Sequence, residues 1–460
     1  MAEQFRDQGG AATMDPSALV RWLTSTVMTR LSAPARVDKQ RAAAEKKRIK
    51  QGAPHRVEYF HQVDDGYSHL AAQVLQRLGE RYDIELECHL VEGPQGKNVP
   101  EPELLLQLSR YDALHVAPEY GLEFPEHSEI PDPALVQLAS EILAAQETGD
   151  FIACAAEVGK ALWAGDEAGL QSLAAAHGRA SVDQCTARIA AGTERRTELK
   201  HYSGGMFYYG GEWYWGVDRL YHLEKRLATL GADRQSGQPM IVPRPEVELD
   251  GHKDSAKDTG TLTLEIFPSL RSPYTAISFD RAVKLARDTG VKLSVRPVLP
   301  MVMRGVPATR EKGFYIFMDA AREAREAGVP YGNFYDPIGD PARRCYSLYP
   351  WAVEQGRGVE LLSSFLSHAF AQGVNTNNDR GLRKVVEDAR LNWGEAQEHL
   401  GDPAWEGLLE QNRLIMYEAG LWGVPSFRLL DESGNQLLAL WGQDRLWLFA
   451  REIQRQLKKR

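Results

Sequence analysis

The chain has 460 residues, of which 43% are hydrophobic and 25% are charged. This composition is typical of a folded globular protein with about two to four domains, and it excludes a chain that is disordered throughout. The net charge of -9 argues against a general nucleic-acid partner, because such proteins carry a basic surface. We expect no integral membrane segment, since every apolar run falls short of the ~18 residues required.

Residues 1–50 are predicted to form a helical, basic N-terminal extension. Apolar residues recur at helical spacing over 17–31, but Arg21 and Arg30 interrupt them, which argues against a signal peptide. The stretch 38–50 is rich in Ala, Lys and Arg. Such a helix can lie on a membrane surface or on acidic partners. We favour a solvated helix that packs on the rest of the chain, because the basic stretch lacks apolar anchors.

Residues 232–260 are predicted to be a linker, because they combine Pro, Gly and charged residues without periodicity. The linker separates a first half, 51–231, from a second half, 261–460. The halves share a pattern of β-rich runs, which is the most informative feature of the sequence. The first two runs are Arg56–Phe60 and Ile84–Cys88 in one half, and Leu262–Phe267 and Val291–Val295 in the other.

The later parts of the two halves also correspond. An Asp precedes a Gly by nine residues at Asp112 and at Asp319. Each half then closes on Trp-Gly-x-Asp-Arg-Leu, at Trp215–Leu220 and Trp441–Leu446, before an amphipathic helix. Each half is therefore predicted to contain, in order, a strand, a helix, a strand, a helical block, a hairpin and a helix. This order predicts an α/β fold with a mixed sheet.

Two hairpins are predicted, at Gly205–Trp215 and Ser426–Trp441. The second contains the turn Asp431-Glu-Ser-Gly-Asn435 between apolar runs, which is a strong hairpin signal.

Four stretches of the second half carry a family resemblance, and they are Ser272-Pro-Tyr-Thr275, Arg296-Pro-Val-Leu299, Gly423-Val-Pro-Ser-Phe427 and Trp441–Leu446. In this order and spacing they resemble DsbA-like proteins, and within that group 2-hydroxychromene-2-carboxylate isomerases and kappa-class glutathione transferases. The resemblance implies an α/β fold of two tandem thioredoxin-like domains, each with an inserted helical subdomain.

The first half resembles the same family less closely. Asp65-Gly-Tyr-Ser68 replaces the Ser-Pro-Tyr-Ser/Thr turn, and Gly205 stands where the family has a cis-proline. Only the Trp215–Leu220 motif is intact. We therefore expect a degenerate domain here, and we place the active site in the second half.

The resemblance assigns roles to five residues. Ser272 would hold a glutathione thiolate, although a serine before a helix is also an ordinary N-cap, and one hydroxyl can do both. Val424, before a cis Pro425, would pair its backbone with the cysteinyl part of glutathione. Gln443 and Asp444 would hold the γ-glutamyl end. The alternative for Asp444 is a structural cap of the last helix.

The stretch 300–313 departs from the family pattern, because it lacks the Asn that often helps to bind the ligand. It contains Arg304, Arg310 and Lys312 instead. These cations could meet a carboxylate of glutathione or of a substrate, but we favour a solvated face.

Cysteine is absent from the turn that holds Ser272 and Thr275. Disulfide exchange requires a thiolate there, so redox turnover is not expected. The chain's four cysteines are isolated, at Cys88, Cys154, Cys185 and Cys345. They match no zinc motif, and they predict buried thiols in a reducing, cytoplasmic compartment.

The sequence thus predicts a glutathione-dependent isomerase or transferase that acts on an electrophilic or conjugated small molecule, with no metal. One alternative is a non-catalytic thioredoxin-fold binding or scaffold protein. Another is a relative of the thiol-disulfide oxidoreductases that lacks CxxC, or a redox partner that uses Cys345 or Cys154. The sequence leaves open the substrate's identity, and whether the halves pair within one chain or two chains form a homodimer.

Overall fold

A computed structural model describes residues 15–247, 257–258, 260–306 and 308–459. Two compact units divide the chain. The N-terminal unit is Asp38–Glu246, and the C-terminal unit combines the described residues of Met1–Val37 with those of Val247–Arg460. The predicted boundaries after 50, 231 and 260 stay predictions, because compactness alone does not locate independently folding domains. Most of the predicted linker's polar end lies outside the described residues.

The helices and strands follow the order that the sequence predicts. The chain starts with helices α1 (Ala18–Ser32) and α2 (Pro34–Lys50). The next elements are β1 (Arg56–His61), α3 (Gly66–Ala72), α4 (Leu75–Arg81), β2 (Glu85–Leu90), α5 (Pro102–Val116), α6 (Pro133–Ala144), α7 (Thr148–Trp163), α8 (Glu167–His177), α9 (Val182–Glu198), β3 (Met206–Tyr209), β4 (Glu212–Trp215) and α10 (Gly216–Thr229).

The second series of elements repeats this plan. It comprises β5 (Thr263–Phe267), α11 (Pro273–Thr289), β6 (Lys292–Val295), α12 (Arg310–Glu326), α13 (Asp340–Glu354), α14 (Gly358–Phe370), α15 (Asp379–Asp388), α16 (Trp393–Glu398), α17 (Ala404–Glu418), β7 (Ser426–Leu430), β8 (Gln436–Trp441) and α18 (Leu446–Lys458). Short 3-10 helices lie at Gly96–Asn98, Ala117–Tyr120, Met301–Arg304 and Gln443–Arg445.

Each unit contains a four-stranded sheet, and the two sheets have the same topology. The strand orders are β2-β1-β3-β4 and β6-β5-β7-β8. The first two strands of each series pair in parallel, and the hairpin that closes the series adds two antiparallel strands. A helical block separates the second strand from the hairpin, α5–α9 in one unit and α12–α17 in the other. The predicted α/β class, with an inserted helical part in each sheet domain, is confirmed.

The first strand of each series, β1 and β5, is an inner strand of its sheet and carries a buried glutamate. Burial alone would raise the pKa of Glu58, but hydrogen bonds from His89 and Arg195 outweigh burial and lower it to about 2. Glu265 accepts hydrogen bonds from Arg296 at 2.6 Å and Arg428 at 2.7 Å. Since a buried carboxylate needs charged partners, these pairs keep an ionic group inside each sheet.

A tyrosine–aspartate hydrogen bond ties the first helix of each sheet domain to its helical block. The Tyr67 hydroxyl donates to Asp112 Oδ2 at 2.7 Å, and the Tyr274 hydroxyl donates to Asp319 Oδ2 at 2.8 Å. Each pair spans 45 residues. The correspondence of Asp112 with Asp319 in the sequence therefore reflects one contact made in both units.

We predict that Tyr274→Phe destabilises the C-terminal unit by about 1–2 kcal/mol, because it removes a hydrogen bond to a buried carboxyl group. Urea unfolding of the full chain, followed by circular dichroism, measures the change. Tyr335→Phe, at a half-buried tyrosine of the same unit, is the control. Equal unfolding midpoints for the two variants would contradict the prediction.

Candidate functional site

Ser272 caps the N-terminus of α11. Its Oγ accepts a hydrogen bond from the Thr275 amide at 3.2 Å, and Pro273 occupies the first helical position. Serine as the N-cap followed by proline is the arrangement that helix starts prefer. The Ser272 side chain is half-buried. The predicted capping role is therefore confirmed, and the hydroxyl lies where the free amides of a 17-residue helix favour negative charge.

The Val424–Pro425 peptide bond is cis, as predicted. The Ser272 hydroxyl donates to the Val424 carbonyl oxygen at 3.3 Å, across 152 residues of sequence. Three predicted site residues thus lie together, at the point where the start of α11 meets the loop before β7.

Two tryptophans and a glycine shape this loop. The rings of Trp422 and Trp441 lie 5.4 Å apart. A Cβ at Gly423 would come within 2.6 Å of Trp441 Nε1, so only glycine fits beside this ring. The Gly442 amide donates to the Pro425 carbonyl at 3.0 Å, which joins the loop to the turn after β8.

Gln443 and Asp444 lie in that turn. The Gln443 side chain is buried, with its amide donating to Glu323 Oε2 at 3.0 Å and its oxygen accepting from Arg281 at 3.3 Å. Asp444 is partly exposed, and its Oδ1 lies 3.5 Å from Arg445 Nη1. The Arg281–Gln443–Glu323 chain was not expected from the sequence. The proposed ligand roles of Gln443 and Asp444 stay predictions.

The basic residues of 300–313 do not form one solvated face, so that preferred interpretation needs correction. Arg310 is exposed. Arg304, however, donates to the Leu299 carbonyl at 3.2 Å, and burial lowers its pKa. The Lys312 ammonium lies 5.9 Å from the Trp422 ring centroid, and burial lowers its pKa to about 8. Lys312 is withdrawn from water because it packs against Trp422 in the loop before β7.

The N-terminal unit has a carboxylate at the position equivalent to Ser272. Asp65 caps α3, and its Oδ2 accepts from the Ser68 amide at 2.9 Å and from the Ser68 hydroxyl at 2.8 Å. Burial raises the pKa of Asp65 to about 6. A carboxylate here would repel a thiolate once it is ionised, whereas a hydroxyl can donate to one.

Gly205 replaces the proline in that unit. Its carbonyl accepts from the Gly216 amide at 2.7 Å, which is the same contact that Pro425 makes with Gly442. Gly205 has a φ of 63°, and a Cβ there would lie 3.0 Å from Asp65 Oδ2. The sequence correspondence of Gly205 with the proline position agrees with this hydrogen bond.

All four cysteines are free and buried, as expected. Burial raises the pKa of Cys88 to about 12 and that of Cys154 to about 11, and it also raises the pKa values of Cys185 and Cys345. A thiol with a raised pKa supplies little thiolate near neutral pH. This argues against the alternative in which Cys345 or Cys154 performs redox chemistry.

Within the described ranges, one group of side chains has donor atoms close enough for a cation. The donor atoms of Glu58, Glu87 and His89 lie within 4.8 Å of one another. Arg195 already holds both oxygens of Glu58, at 2.8 Å each, so the group is an ion-pair network and does not favour a metal. None of the helices in the described ranges has the length and apolarity needed to cross a bilayer.

Comparisons with known proteins agree with the architecture of the C-terminal unit. The family model of the DSBA-like thioredoxin domain matches residues 263–454. The 2-hydroxychromene-2-carboxylate isomerase of Sphingobium xenophagum is 25% identical over 198 residues, which cover 40% of this chain and 95% of that protein.

Two solved structures are similar to part of this chain. A 2-hydroxychromene-2-carboxylate isomerase has a TM-score of 0.36 and 18% identity, covering 43% of this chain and 97% of its own. A probable DsbA oxidoreductase from Streptomyces coelicolor has a TM-score of 0.34 and 20% identity, covering 43% and 91%. The family match and the isomerase relative identify the C-terminal half of the chain as a DsbA-like thioredoxin domain.

Proposed function

We propose that the C-terminal unit is a glutathione-dependent isomerase or transferase for an electrophilic, conjugated small molecule. The observation that carries the proposal is the hydrogen bond between the Ser272 hydroxyl and the Val424 carbonyl, which unites a helix N-terminus with the cis-proline loop. The 25% identical isomerase supports the reaction class. A reducing, cytoplasmic compartment would keep glutathione available as cosubstrate.

The Ser272 hydroxyl has one proton to give. Its oxygen accepts the Thr275 amide hydrogen, and its proton goes to the Val424 carbonyl. When a thiol binds, rotation of the hydroxyl would turn this proton to the sulfur, and the Val424 carbonyl would become free to accept from the cysteinyl amide of glutathione. Donation to sulfur at a helix N-terminus favours the thiolate over the thiol.

The thiol proton leaves to solvent, and the thiolate then acts as a nucleophile. It adds to the conjugated double bond, so that a carbon–sulfur bond forms and the π electrons move onto the acceptor group. Rotation about the resulting single bond follows. Expulsion of the thiolate restores the double bond in the isomer, with no net oxidation and no net gain of a proton. A transferase would instead protonate and release the adduct.

Lys312 extends the proposed site. Its partly desolvated ammonium beside Trp422 suits a carboxylate of glutathione or of the substrate, because a charge pair strengthens as water is excluded. Asp444 would meet the γ-glutamyl ammonium, and Gln443 would act through its contacts with Arg281 and Glu323.

We also propose that the two units arose by tandem duplication, and that the N-terminal unit is not catalytic. The matching strand order and the two Tyr–Asp pairs support duplication. The Asp65 carboxylate and Gly205, at the positions of Ser272 and Pro425, favour a non-catalytic role for that unit.

Ser272→Ala is expected to abolish the thiolate absorbance of bound glutathione, because the sulfur loses its hydroxyl donor. Affinity should fall roughly 10-fold or more. Ultraviolet difference spectroscopy of the full chain measures the thiolate. Ser278→Ala is the control, since Ser278 donates within α11 to the Tyr274 carbonyl. Identical thiolate spectra for wild type and Ser272→Ala would remove Ser272 from the mechanism.

Asp444→Asn and Asp218→Asn form a matched pair that separates binding from structure. Asp218, in the equivalent motif of the N-terminal unit, accepts from the Tyr120 hydroxyl at 2.9 Å. If Asp444 meets the ligand's ammonium, Asp444→Asn should weaken glutathione binding by roughly 10-fold in calorimetry, and Asp218→Asn should leave it unchanged. Unchanged glutathione binding in both variants, together with a lower unfolding midpoint for Asp444→Asn, would assign Asp444 a structural role.

Binding of S-methylglutathione should weaken as the pH rises above about 8. With its pKa near 8, Lys312 is charged below that pH and neutral above it, so the attraction for a carboxylate is lost on the alkaline side. This ligand has no titrating thiol, and its γ-glutamyl ammonium titrates in wild type and variant alike, so the difference between their pH profiles reports the lysine. Lys312→Met should remove the lysine's share of the pH dependence, and Lys312→Arg should keep tighter binding than wild type at higher pH. A pH profile that Lys312→Met leaves unchanged would contradict this role.

A further inference from the structure

Helix α1 presents an unusual apolar face to solvent. Among the described residues, ten large hydrophobic side chains are exposed, and five of them lie in α1: Leu19, Val20, Trp22, Leu23 and Val27. Trp22 is 52% exposed and Leu19 is 64% exposed. A contiguous apolar patch of this kind on a globular protein marks an interaction surface.

Polar contacts between α1 and the rest of the C-terminal unit hold the apolar face of α1 outward. Arg21 is buried and donates to the carbonyls of Asp336 and Ile338, at 2.6 Å each. Ser25 accepts from the Asp336 amide at 2.9 Å, and Thr29 accepts from the Phe334 amide. These three side chains recur every four residues, so they form one face of the helix. Turning α1 over would bury its apolar side chains but take Arg21 away from both carbonyls, leaving only its ion pair with Asp15.

The charge of this segment indicates what covers the face. Between Asp15, which pairs with the buried Arg21, and Asp38 the chain has no acidic side chain, and Arg30 and Arg36 are exposed. After Ala33 the chain continues into α2, in which lysines and arginines outnumber acidic residues seven to two. Apolar side chains that include a tryptophan, followed in sequence by a basic helix, form the pattern of a segment that lies on an anionic lipid surface.

We propose that α1 is a peripheral anchor that inserts Trp22, Leu23 and their apolar neighbours into an anionic lipid surface. A second copy of the chain fits this face less well. Two parallel α1 helices pairing through it would bring the Arg30 side chains together, and two antiparallel helices would place each Arg30 against apolar side chains. The helix has no acidic residue to compensate either arrangement. The acyl boundary covers apolar side chains, and anionic headgroups attract the exposed Arg30 and Arg36. The proposal does not depend on the glutathione chemistry.

Flotation of the full chain with vesicles tests the anchor. We expect binding to phosphatidylcholine vesicles that contain phosphatidylserine, much weaker binding to phosphatidylcholine alone, and partial release by salt. The double variant Trp22→Ser/Leu23→Ser should lose at least about tenfold in vesicle affinity, because two apolar side chains no longer enter the bilayer. Val353→Ser is the control, since Val353 is 50% exposed elsewhere in the same unit.

Three results would overturn the anchor. One is absence of binding to either vesicle type by the folded wild-type chain. Another is binding that Trp22→Ser/Leu23→Ser leaves intact. The third is a concentration-dependent dimer, seen by light scattering, that the double variant removes and that does not float with vesicles. This last result would assign the face to a second copy. Circular dichroism confirms that the variants fold, and unchanged glutathione binding shows that the site is intact.

Discussion

The C-terminal site depends on a single hydroxyl group that serves two backbone partners. Ser272 accepts from Thr275 to start α11, and it donates to Val424 to hold the cis-proline loop against that start. A hydroxyl has two acceptor positions and one proton, so the cap can persist while the proton changes partner. Cysteine would also cap weakly, but it would bring its own sulfur. Serine leaves the sulfur to be supplied by a ligand.

The two units show how changes at such a site are coupled. Both retain the tyrosine–aspartate pair and the hydrogen bond from the closing turn to the loop. They differ at the cap, Ser272 against Asp65, and at the loop, Pro425 against Gly205. Asp65 Oδ2 would lie 3.0 Å from a Cβ at position 205, so a larger residue there would crowd the carboxylate. The glycine therefore accommodates the aspartate, and the two replacements belong together.

The sequence predicts what is set by local patterns. The strands, the hairpins and the cis Val424–Pro425 bond follow from short motifs and their order. Contacts between distant residues were missed. The prediction that Lys312 belongs to a solvated face was wrong, because nothing near it in sequence indicates its contact with the Trp422 ring. The Tyr67 and Tyr274 partners could have been found, because each tyrosine precedes its aspartate by 45 residues.

The orientation of α1 shows the same limit and also ties the helix to the site. Its apolar spacing predicts a helix but not the direction of the apolar face, which is set by the hydrogen bond from Arg21 to the Asp336 carbonyl, 315 residues away. The Asp336 carboxylate also lies 3.4 Å from Arg271, the residue before Ser272. Deleting α1 would therefore disturb Asp336, which contacts Arg271 beside Ser272. Changes on the exposed face, which leave Arg21 and Ser25 in place, separate lipid contact from the chemistry at Ser272.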